Sequence, residues 1–544
     1  MNCRPFLAGA AAVLVLTPAV QAQNRNPQRG PARPKAQKPV EVPPAVVVLQ
    51  VDTTPGDSIR TIIQRDLDYG DRIQPLILDS ATLADVWQPG GKSINFAPLA
   101  NTRANFVIRV RPTASALHVE AFDAARGQLK QEGSFRMPRM PANRLPAVRD
   151  SLNDVLRERA EAMAESLNAH QWTRDSLARA AQKPMPMKTT RDRANARRAA
   201  AARDSILADL ERTEKNLSAR AAEDTVHMDS VYARFVARDS TTRDSVQRER
   251  RLAIHVASDE IERWLTGQRG IAATRIAFVD GTKLKIIDSD GANERTIPTP
   301  NAALSPAWHP SGRYIAYVDA DDRGTRIGIV DLRTMKPRML GASTRGLNIT
   351  PVYTRDGKSL VWASGGDSPA ELVMANVSGD DSVAVPYVGR QGAETTSPSF
   401  SPDGKQIVFM SPVPLTPQLY TMNVNGSGLR LLTPPTPGKR TYRTGPEWSP
   451  KGDEIAYQQQ MGDFQVWTIA LKDRAMKQLT FEGENEDPSW APDGRHLAIT
   501  RRLGAIGDPR SIWILDKQTG RLRQLTTSGD ARLSDWSPAL KPNY

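Results

Sequence analysis

The chain has 544 residues, a formal net charge of +13 at neutral pH and a single cysteine. This length exceeds what one hydrophobic core supports, so we expect two or three domains. The positive charge would suit an acidic partner, but no zinc-finger spacing, aromatic RNA-binding segment or basic recognition helix accompanies it, which argues against nucleic acid. We interpret the composition as that of a basic extracytoplasmic protein.

The N-terminus has the parts of a cleaved signal peptide. Arg4 precedes an apolar run that begins at Phe6, and small side chains occupy the positions expected before a cleavage site at Gln23. This predicts a signal peptide over residues 1–22. Cys3 would be removed with it, leaving no disulfide or thiolate chemistry. No other apolar run approaches the ~20 residues of a membrane span, so we expect none.

Two segments of different composition follow the predicted signal peptide. Residues 23–44 are basic and rich in proline, which predicts a disordered leader. Residues 45–139 predict a small α/β domain, because short apolar runs alternate with a segment of helical periodicity. The predicted elements are strands over 45–51, 105–111 and 116–122 and a helix over 58–67.

Residues 140–250 predict a charged helical insertion. They are rich in Arg, Ala, Asp and Glu, and apolar residues recur three or four apart, as on one face of a coiled-coil-like helix. The prolines at 184 and 186 would break that helix, so we expect a long hairpin that bends near 183–190. Two interpretations stay open, a protruding arm for a partner and a charged, partly disordered spacer. A separate connecting helix is predicted over 251–270.

The second half of the chain repeats one pattern. A Pro-x-aromatic element is followed by a turn of the Ser-Pro-Asp-Gly type and then by three short strand patterns, and the copies are spaced by 42 to 48 residues. This period and strand content are typical of the blades of a β-propeller. We expect the repeated aromatic residues to pack as wedges between blades: Trp308, Tyr353, Phe400, Trp448, Trp490 and Trp536.

The two ends of the repeat array predict the number of blades. Residues 275–297 contain only three strand patterns, whereas residues 534–538 contain a first segment with nothing after it. Together they make one blade. The sequence therefore predicts a six-bladed propeller over residues 271–544, closed by the C-terminal strand.

Several of these segments together resemble the TolB family. They are the signal peptide, the small α/β domain, the helix from Ala257 to Gly267, the strand from Thr274 to Val279, the turn from Ile287 to Gly291 and the terminal segment from Trp536 to Leu540. The resemblance covers about 45–136 and 252–544. It implies propeller repeats of the WD40-like (PD40) type, a periplasmic location and a non-enzymatic role.

The resemblance also implies partners. TolB proteins belong to the Tol–Pal envelope system, which is implicated in outer-membrane integrity, in constriction at cell division and in protein transport. Their propeller binds the peptidoglycan-associated lipoprotein Pal, and their extreme N-terminus engages TolA. The Pro- and Arg-rich leader departs from the TolA-binding pattern, and the insertion over 140–250 lies outside the usual pattern. We expect a monomer.

The sequence contains no pattern that indicates catalysis. The six histidines are scattered without metal-ligand spacing, and no nucleophile elbow or zinc-protease motif is present. We therefore expect no catalytic residue, cofactor or metal, and look for partner contacts in the loops that differ between repeats. The candidate residues are Asn301, Arg323, Asn348, Arg390, Arg440, Tyr442, Arg443 and Asn485. The alternative is a module that binds or acts on glycans or peptides through the central pore.

Overall fold

The structure is a computed structural model that describes residues 42–50, 59–87, 93–182, 189–343, 346–366, 368–377, 383–387, 393–413, 416–435, 441–460, 462–527 and 529–542. The predicted signal peptide lies outside the described residues, as does the predicted leader up to residue 41. The chain divides into two compact units, one formed by the N-terminal domain with the propeller and one over residues 138–249.

The N-terminal domain is a five-stranded sheet with helices. Its elements are β1 Ala45–Gln50, α1 Ile59–Tyr69, β2 Gln74–Leu76, α2 Ser80–Val86, a short 3-10 helix Ala97–Asn101, β3 Phe106–Pro112, β4 Ala116–Asp123 and β5 Leu129–Arg136. The strand order is β2-β1-β3-β4-β5, and β1 runs parallel to both of its neighbours. Val46 and Val48 face one apolar cluster and Val47 and Leu49 face another. Strand β1 is apolar from Ala45 to Leu49 because both of its faces are covered.

Two long helices form the insertion, α3 Leu145–Ala181 and α4 Thr190–Thr266. Ion pairs of Arg159 with Asp224 and of Arg174 with Glu214 show that the two helices run antiparallel. The predicted bend falls mostly on residues 183–188, which lie outside the described residues. No described helix contains a stretch long and apolar enough to cross a lipid bilayer.

The connecting helix predicted over 251–270 is the last part of α4 and not a separate element. Helix α4 continues without interruption from the hairpin to Thr266, and Gly267 ends it with a positive φ of 74°. The buried residues of α4 all lie between Arg251 and Glu262. One continuous helix therefore belongs to both units. Its backbone is helical throughout, but only its C-terminal part has the apolar residues that pack into a core.

The C-terminal half is a six-bladed propeller, as predicted. Blade 1 contains β6 Arg275–Asp280, β7 Lys283–Asp288, β8 Arg295–Thr296 and β29 Ala531–Trp536; blade 2 contains β9 Ala302–Trp308, β10 Tyr314–Asp321, β11 Gly324–Asp331 and β12 Lys336–Met339; blade 3 contains β13 Leu347–Tyr353, β14 Ser359–Gly365, β15 Glu371–Asn376 and β16 Val385–Pro386. Blade 4 contains β17 Thr396–Phe400, β18 Gln406–Ser411, β19 Gln418–Asn423 and β20 Arg430–Leu431; blade 5 contains β21 Tyr442–Trp448, β22 Glu454–Gln460, β23 Phe464–Ala470 and β24 Met476–Gln478; blade 6 contains β25 Glu484–Trp490, β26 His496–Arg502, β27 Ser511–Asp516 and β28 Leu522–Gln524.

Strand β29 closes the ring by pairing with β6. The pairing is antiparallel, with Trp536 opposite Ile276 and Ala531 opposite Asp280. The Trp536 indole also donates a hydrogen bond to Thr274 Oγ1 at 2.8 Å. The predicted closure by the C-terminal strand is confirmed.

Every first strand carries a β-bulge three residues before its aromatic residue. The residue at this position has φ between 42° and 57°, and in five of the six copies a proline follows it. The six residues are Ser305, Thr350, Ser397, Gly445, Asp487 and Leu533. The register shift at each bulge turns the end of the strand. The following Pro-x-aromatic segment thereby lines the centre of the ring.

The repeated aromatic residues pack between blades. Trp308 of blade 2 lies in a cluster with Leu284 and Ile286 of blade 1, and Trp490 of blade 6 lies with Val466 of blade 5. All six are buried. Trp308 and Trp490 therefore each pack against the preceding blade.

The N-terminal domain and the end of α4 contact one end of the propeller, which we call the proximal end. There the turns between first and second strands and between third and fourth strands emerge. Arg72 of the N-terminal domain bridges Glu262 of α4 at 2.6 Å and Asp493 of blade 6 at 2.8 Å. The opposite end, where each first strand begins, is called the distal end.

Two buried histidines lie in this proximal contact. His496 is 2.7 Å from Asp493 and 3.2 Å from Asp71 of the N-terminal domain, and His255 of α4 is 2.8 Å from Asp66. Burial works to lower the pKa of His496, but its hydrogen bonds to Asp493 and Asp71 and the charges of Asp493 and Asp516 outweigh burial and raise that pKa above its usual value. The contact is therefore strongest when His496 carries a proton.

Removal of residues 530–544 should lower the thermal midpoint sharply, because blade 1 loses its innermost strand and Trp308 loses its neighbour Asp535. A thermal melt followed by circular dichroism measures this. Removal of residues 541–544 alone, which leaves β29 intact, is the matched control. Equal midpoints for the two truncated chains would contradict the role of β29.

The proximal contact should weaken as the pH rises. A histidine whose folded pKa is raised adds stability that is complete below its unfolded pKa of about 6.5 and is lost as the pH passes the folded value. His496→Gln should therefore lower the urea midpoint most below pH 6.5. Above that pH, the urea midpoint of the variant should decrease less with rising pH than that of the unmodified protein. His309→Gln is the control, because burial lowers the pKa of His309; its contribution is lost on acidification instead. An unchanged alkaline slope in His496→Gln would contradict the assignment.

Candidate partner-binding face and pore

The sequence candidates that the structure describes lie at the distal end of the propeller. Asn301 precedes the first strand of blade 2, and Arg323 lies in the turn between β10 and β11. Tyr442 is the first residue of β21. Asn348, Arg443 and Asn485 are each the second residue of the first strand of their blade. Arg390 and Arg440 lie outside the described residues.

Four of the candidates lie within first strands and not in loops, contrary to the sequence interpretation, and three of these four are buried. Asn348, Arg443 and Asn485 all stand five residues before the aromatic residue of their blade, inside the first strand, and all are buried. The same position is buried in the other blades, where it holds Ala303, Thr395 and Ala531. These three side chains thus occupy a structural position of the repeat.

Their hydrogen bonds show what the buried side chains do. Arg443 donates to Gln459 Oε1 at 2.6 Å and to Gln418 Oε1 of blade 4 at 2.8 Å. Asn485 donates to Gln465 Oε1 of blade 5 at 3.1 Å. These hydrogen bonds link neighbouring blades. They also satisfy the buried side chains, since an unpaired polar group at such a position would cost about 1–3 kcal/mol.

The remaining described candidates reach the surface of the distal end. The Arg323 side chain is 68% exposed beside Asp321 and Asp322. Asn301 is exposed and donates to Asp319 at 2.8 Å, and Tyr442 is half-buried. These residues can contact a partner, whereas Asn348, Arg443 and Asn485 can only support the strands beneath it.

The distal end also presents large apolar side chains that the sequence interpretation missed. Phe481, Leu503 and Ile506 are 73%, 61% and 93% exposed. Phe481 lies in the loop between blades 5 and 6, and the other two lie in the loop between β26 and β27. Arg501 joins these loops by donating to the Glu482 carbonyl at 3.3 Å. We call Phe481, Leu503 and Ile506 the distal apolar cluster.

The centre of the ring contains a cavity of about 470 Å³ lined by first-strand residues of all six blades. In four blades the side chain just before the aromatic residue accepts a hydrogen bond from a backbone N–H of the next blade. We call these the bracing bonds. Glu447 accepts from Trp490 at 2.8 Å and Asp535 accepts from Trp308 at 2.6 Å. Ser399 and Ser489 make the equivalent bonds to Trp448 and Trp536 at 3.0 and 2.9 Å.

The two pore carboxyl groups have an unusual protonation equilibrium. Burial raises the pKa of Asp535 to about 7, and burial together with the charge of Asp535 raises the pKa of Glu447. Ser489 Oγ lies 3.4 Å from an oxygen of each. Arg355 donates to the Ser401 carbonyl at 3.1 Å, and burial lowers its pKa. Both carboxyl groups are thus engaged in holding the backbone.

Two groups of side chains have the composition of a metal site. They are Asp66, His255 and Asp290, and Asp71, His496 and Asp516. Arginine already neutralises both groups, since Arg251 pairs with Asp290 and Arg495 pairs with Asp516 at 2.6 Å. A divalent cation would have to displace these guanidinium groups. We interpret the two groups as the charged core of the proximal contact.

Substitutions at Asp535 should separate its two roles. An acid with a raised folded pKa loses stability as the pH rises from about 4 through about 7, so Asp535→Asn should flatten this part of the stability curve while keeping an acceptor for Trp308. Asp535→Ala should lower stability by about 1–3 kcal/mol at every pH, because the Trp308 N–H loses its partner. Urea denaturation between pH 4 and pH 8 measures both effects.

Ser399→Ala is the matched control for Asp535, because it removes a neutral acceptor from the equivalent bond. It should destabilise the chain without changing the shape of the pH dependence. A parallel change in shape in both variants would contradict the titration of Asp535.

Comparisons with known proteins agree with this architecture. A family model described as the TolB beta propeller domain matches residues 262–540, just over half of the chain. The Tol-Pal system protein TolB of Bordetella pertussis (strain Tohama I) is 28% identical over 307 residues, which cover 55% of this chain and 68% of that protein. The protein of the same name from Bordetella bronchiseptica is also 28% identical over 307 residues and is covered to 67%.

The crystal structure of TolB from Acinetobacter baumannii has a TM-score of 0.60 to this chain. The match covers 92% of this chain and 97% of that one at 18% sequence identity, so it shows a shared fold. The range of the family model begins in α4 and spans the six blades to Leu540. The chain therefore belongs to the TolB β-propeller family.

Proposed function

We propose that this protein is a non-enzymatic periplasmic scaffold of a Tol–Pal system. Its propeller binds a Pal-like peptidoglycan-associated lipoprotein and so supports outer-membrane integrity and envelope constriction at division. The curated relatives are Tol-Pal system proteins, and family membership extends that role to this chain as a proposal. The signal peptide predicted over residues 1–22 supports the periplasmic location.

The observation that carries the proposal is the distal apolar cluster. Phe481, Leu503 and Ile506 expose more than half of their surface, whereas the described contacts of the N-terminal domain lie at the proximal end. Large apolar side chains grouped on an exposed face mark sites of protein association. An aromatic residue among them is the type that dominates binding energy at interfaces.

Charged side chains surround this cluster and are held in place. Arg502 is paired with Glu484, and Arg510 is paired with Asp530 at 2.7 Å. The Arg501 guanidinium lies over the Trp513 ring at 5.0 Å. An apolar centre with an ordered polar rim is the common arrangement of a specific protein interface. Arg323 adds an exposed positive charge on the same end of the propeller.

The other expected partners have less support. A TolA-like contact would use the N-terminal leader, whose composition departs from the family pattern. The alternative function, action on glycans or peptides through the pore, requires acids that are free to react. Glu447 and Asp535 instead accept backbone hydrogen bonds across blade interfaces. We therefore favour binding at the distal end by a monomeric scaffold.

A double substitution tests the proposed surface. Phe481→Ser with Ile506→Ser should weaken binding of the Pal-like lipoprotein from the same organism by at least roughly tenfold, because truncating central apolar anchors costs about 2 kcal/mol or more. Isothermal titration calorimetry with the purified full chain measures it. The proximal turn residue Leu429, exposed to 44%, supplies the control Leu429→Ser, which should bind as the unmodified protein does.

Two results would contradict the proposal in different ways. If the unmodified chain does not bind the lipoprotein, the proposed partner is wrong. If it binds but the double variant binds equally well, the partner stands and the distal apolar cluster is not its site.

A further inference from the structure

The first part of α4 extends beyond the end of α3 in the helical hairpin. The ion pairs of Arg174 with Glu214 and of Arg159 with Asp224 fix the antiparallel register. Continued to the last residue of α3, this register places Ala181 level with the segment between Ala202 and Leu207. Residues 190–202 therefore lie past the end of α3, over about 18 Å of helix. We call this segment the α4 overhang.

The α4 overhang is basic and contains no large apolar side chain. It consists of four arginines, six alanines, one threonine, one asparagine and one aspartate. The arginines are Arg191, Arg193, Arg197 and Arg198, and all four are exposed. Alanine and arginine both have high helix propensity. The segment can therefore remain helical without tertiary packing.

The one acid of the α4 overhang has a structural role. The backbone N–H of Asp192 donates to Thr189 Oγ1 at 3.1 Å, and Asp192 Oδ2 accepts from the Thr189 N–H at 2.9 Å. This reciprocal pair is a capping box that begins α4. Asp192 is thus used at the helix N-terminus, and its charge leaves the segment with an excess of three positive charges.

Six arginines elsewhere in the hairpin are paired with acids. Among the described residues, Arg157, Arg159, Arg174, Arg203, Arg212 and Arg243 form ion pairs with aspartate or glutamate. The four overhang arginines form none with a described acid. At about 100° per residue, the four arginines all fall within roughly 160° of the helix circumference. Their charge is therefore presented on one side of the helix.

We infer that the α4 overhang binds the surface of a lipid bilayer through anionic phospholipid headgroups. A protein interface of ordinary strength needs buried apolar anchors, which alanine cannot supply. Arginine pairs well with phosphate oxygens, and a flat layer of headgroups can meet charges that lie along one side of a helix. Clusters of about four to eight basic residues suffice for such binding.

Vesicle sedimentation with the full-length mature protein tests this inference. The probes are vesicles of phosphatidylcholine alone and vesicles that also contain phosphatidylglycerol. The protein should bind only the anionic vesicles and should be released by salt. The variant R191Q/R193Q/R197Q/R198Q should lower the vesicle partition coefficient by roughly tenfold or more, since each basic residue near the surface contributes.

The matched control removes four arginines from the same hairpin outside the overhang. R149Q/R157Q/R212Q/R220Q changes the net charge equally at exposed positions and should bind anionic vesicles several-fold more tightly than the overhang variant. Circular dichroism verifies that both variants keep their helix content. Equal losses in the two variants would show a general charge effect and overturn the inference.

Two further outcomes would also overturn it. One is no binding of the unmodified protein to anionic vesicles at low salt. The other is overhang-dependent binding of a fluorescent DNA duplex without overhang-dependent binding of vesicles, which would assign the segment to nucleic acid instead.

Discussion

The pairing of β29 with β6 is the contact on which the rest of the propeller depends. Each blade packs its aromatic wedge against the preceding blade, and most also offer a side chain to a backbone N–H of the next one. Such a chain of contacts has free ends unless the last blade meets the first. Because β29 supplies both Trp536 and Asp535, one strand completes the sheet of blade 1 and braces Trp308 of blade 2. Without β29, the backbone edge of β6 would be left unpaired.

The two ends of the ring differ in chemistry. The proximal end is held to the N-terminal domain by buried charge, with Arg72 and His496 each bonded to acids from more than one segment. The distal end instead exposes Phe481, Leu503 and Ile506. The buried polar contacts hold two parts of the same chain in a defined geometry. Exposed apolar surface instead contributes binding free energy when a partner buries it. The contacts of the N-terminal domain that the structure describes thus lie at the opposite end of the ring from the distal apolar cluster.

The sequence predicts the propeller well because the repeat is periodic and its turn residues have fixed conformational roles. Strand β5 was missed because it is a polar edge strand with no apolar alternation to detect. The burial of Asn348, Arg443 and Asn485 could not be read locally, because their partners come from other strands. Alignment of the six copies on their aromatic residues would have placed all three at one buried repeat position. The α4 overhang depends on the register between two helices, which only the ion pairs across the hairpin define.

The bracing bonds are unevenly distributed around the ring. Ser399, Glu447, Ser489 and Asp535 accept the next blade's amide, but Ala307 and Val352 occupy the same position in blades 2 and 3. An alkyl side chain cannot accept a hydrogen bond, so the amides of Tyr353 and Phe400 lack that acceptor. Local opening requires the least free energy where a structure has the fewest stabilising contacts. We therefore expect the amides of Tyr353 and Phe400 to exchange with solvent before those of Trp448, Trp490, Trp536 and Trp308, whose acceptors are in place.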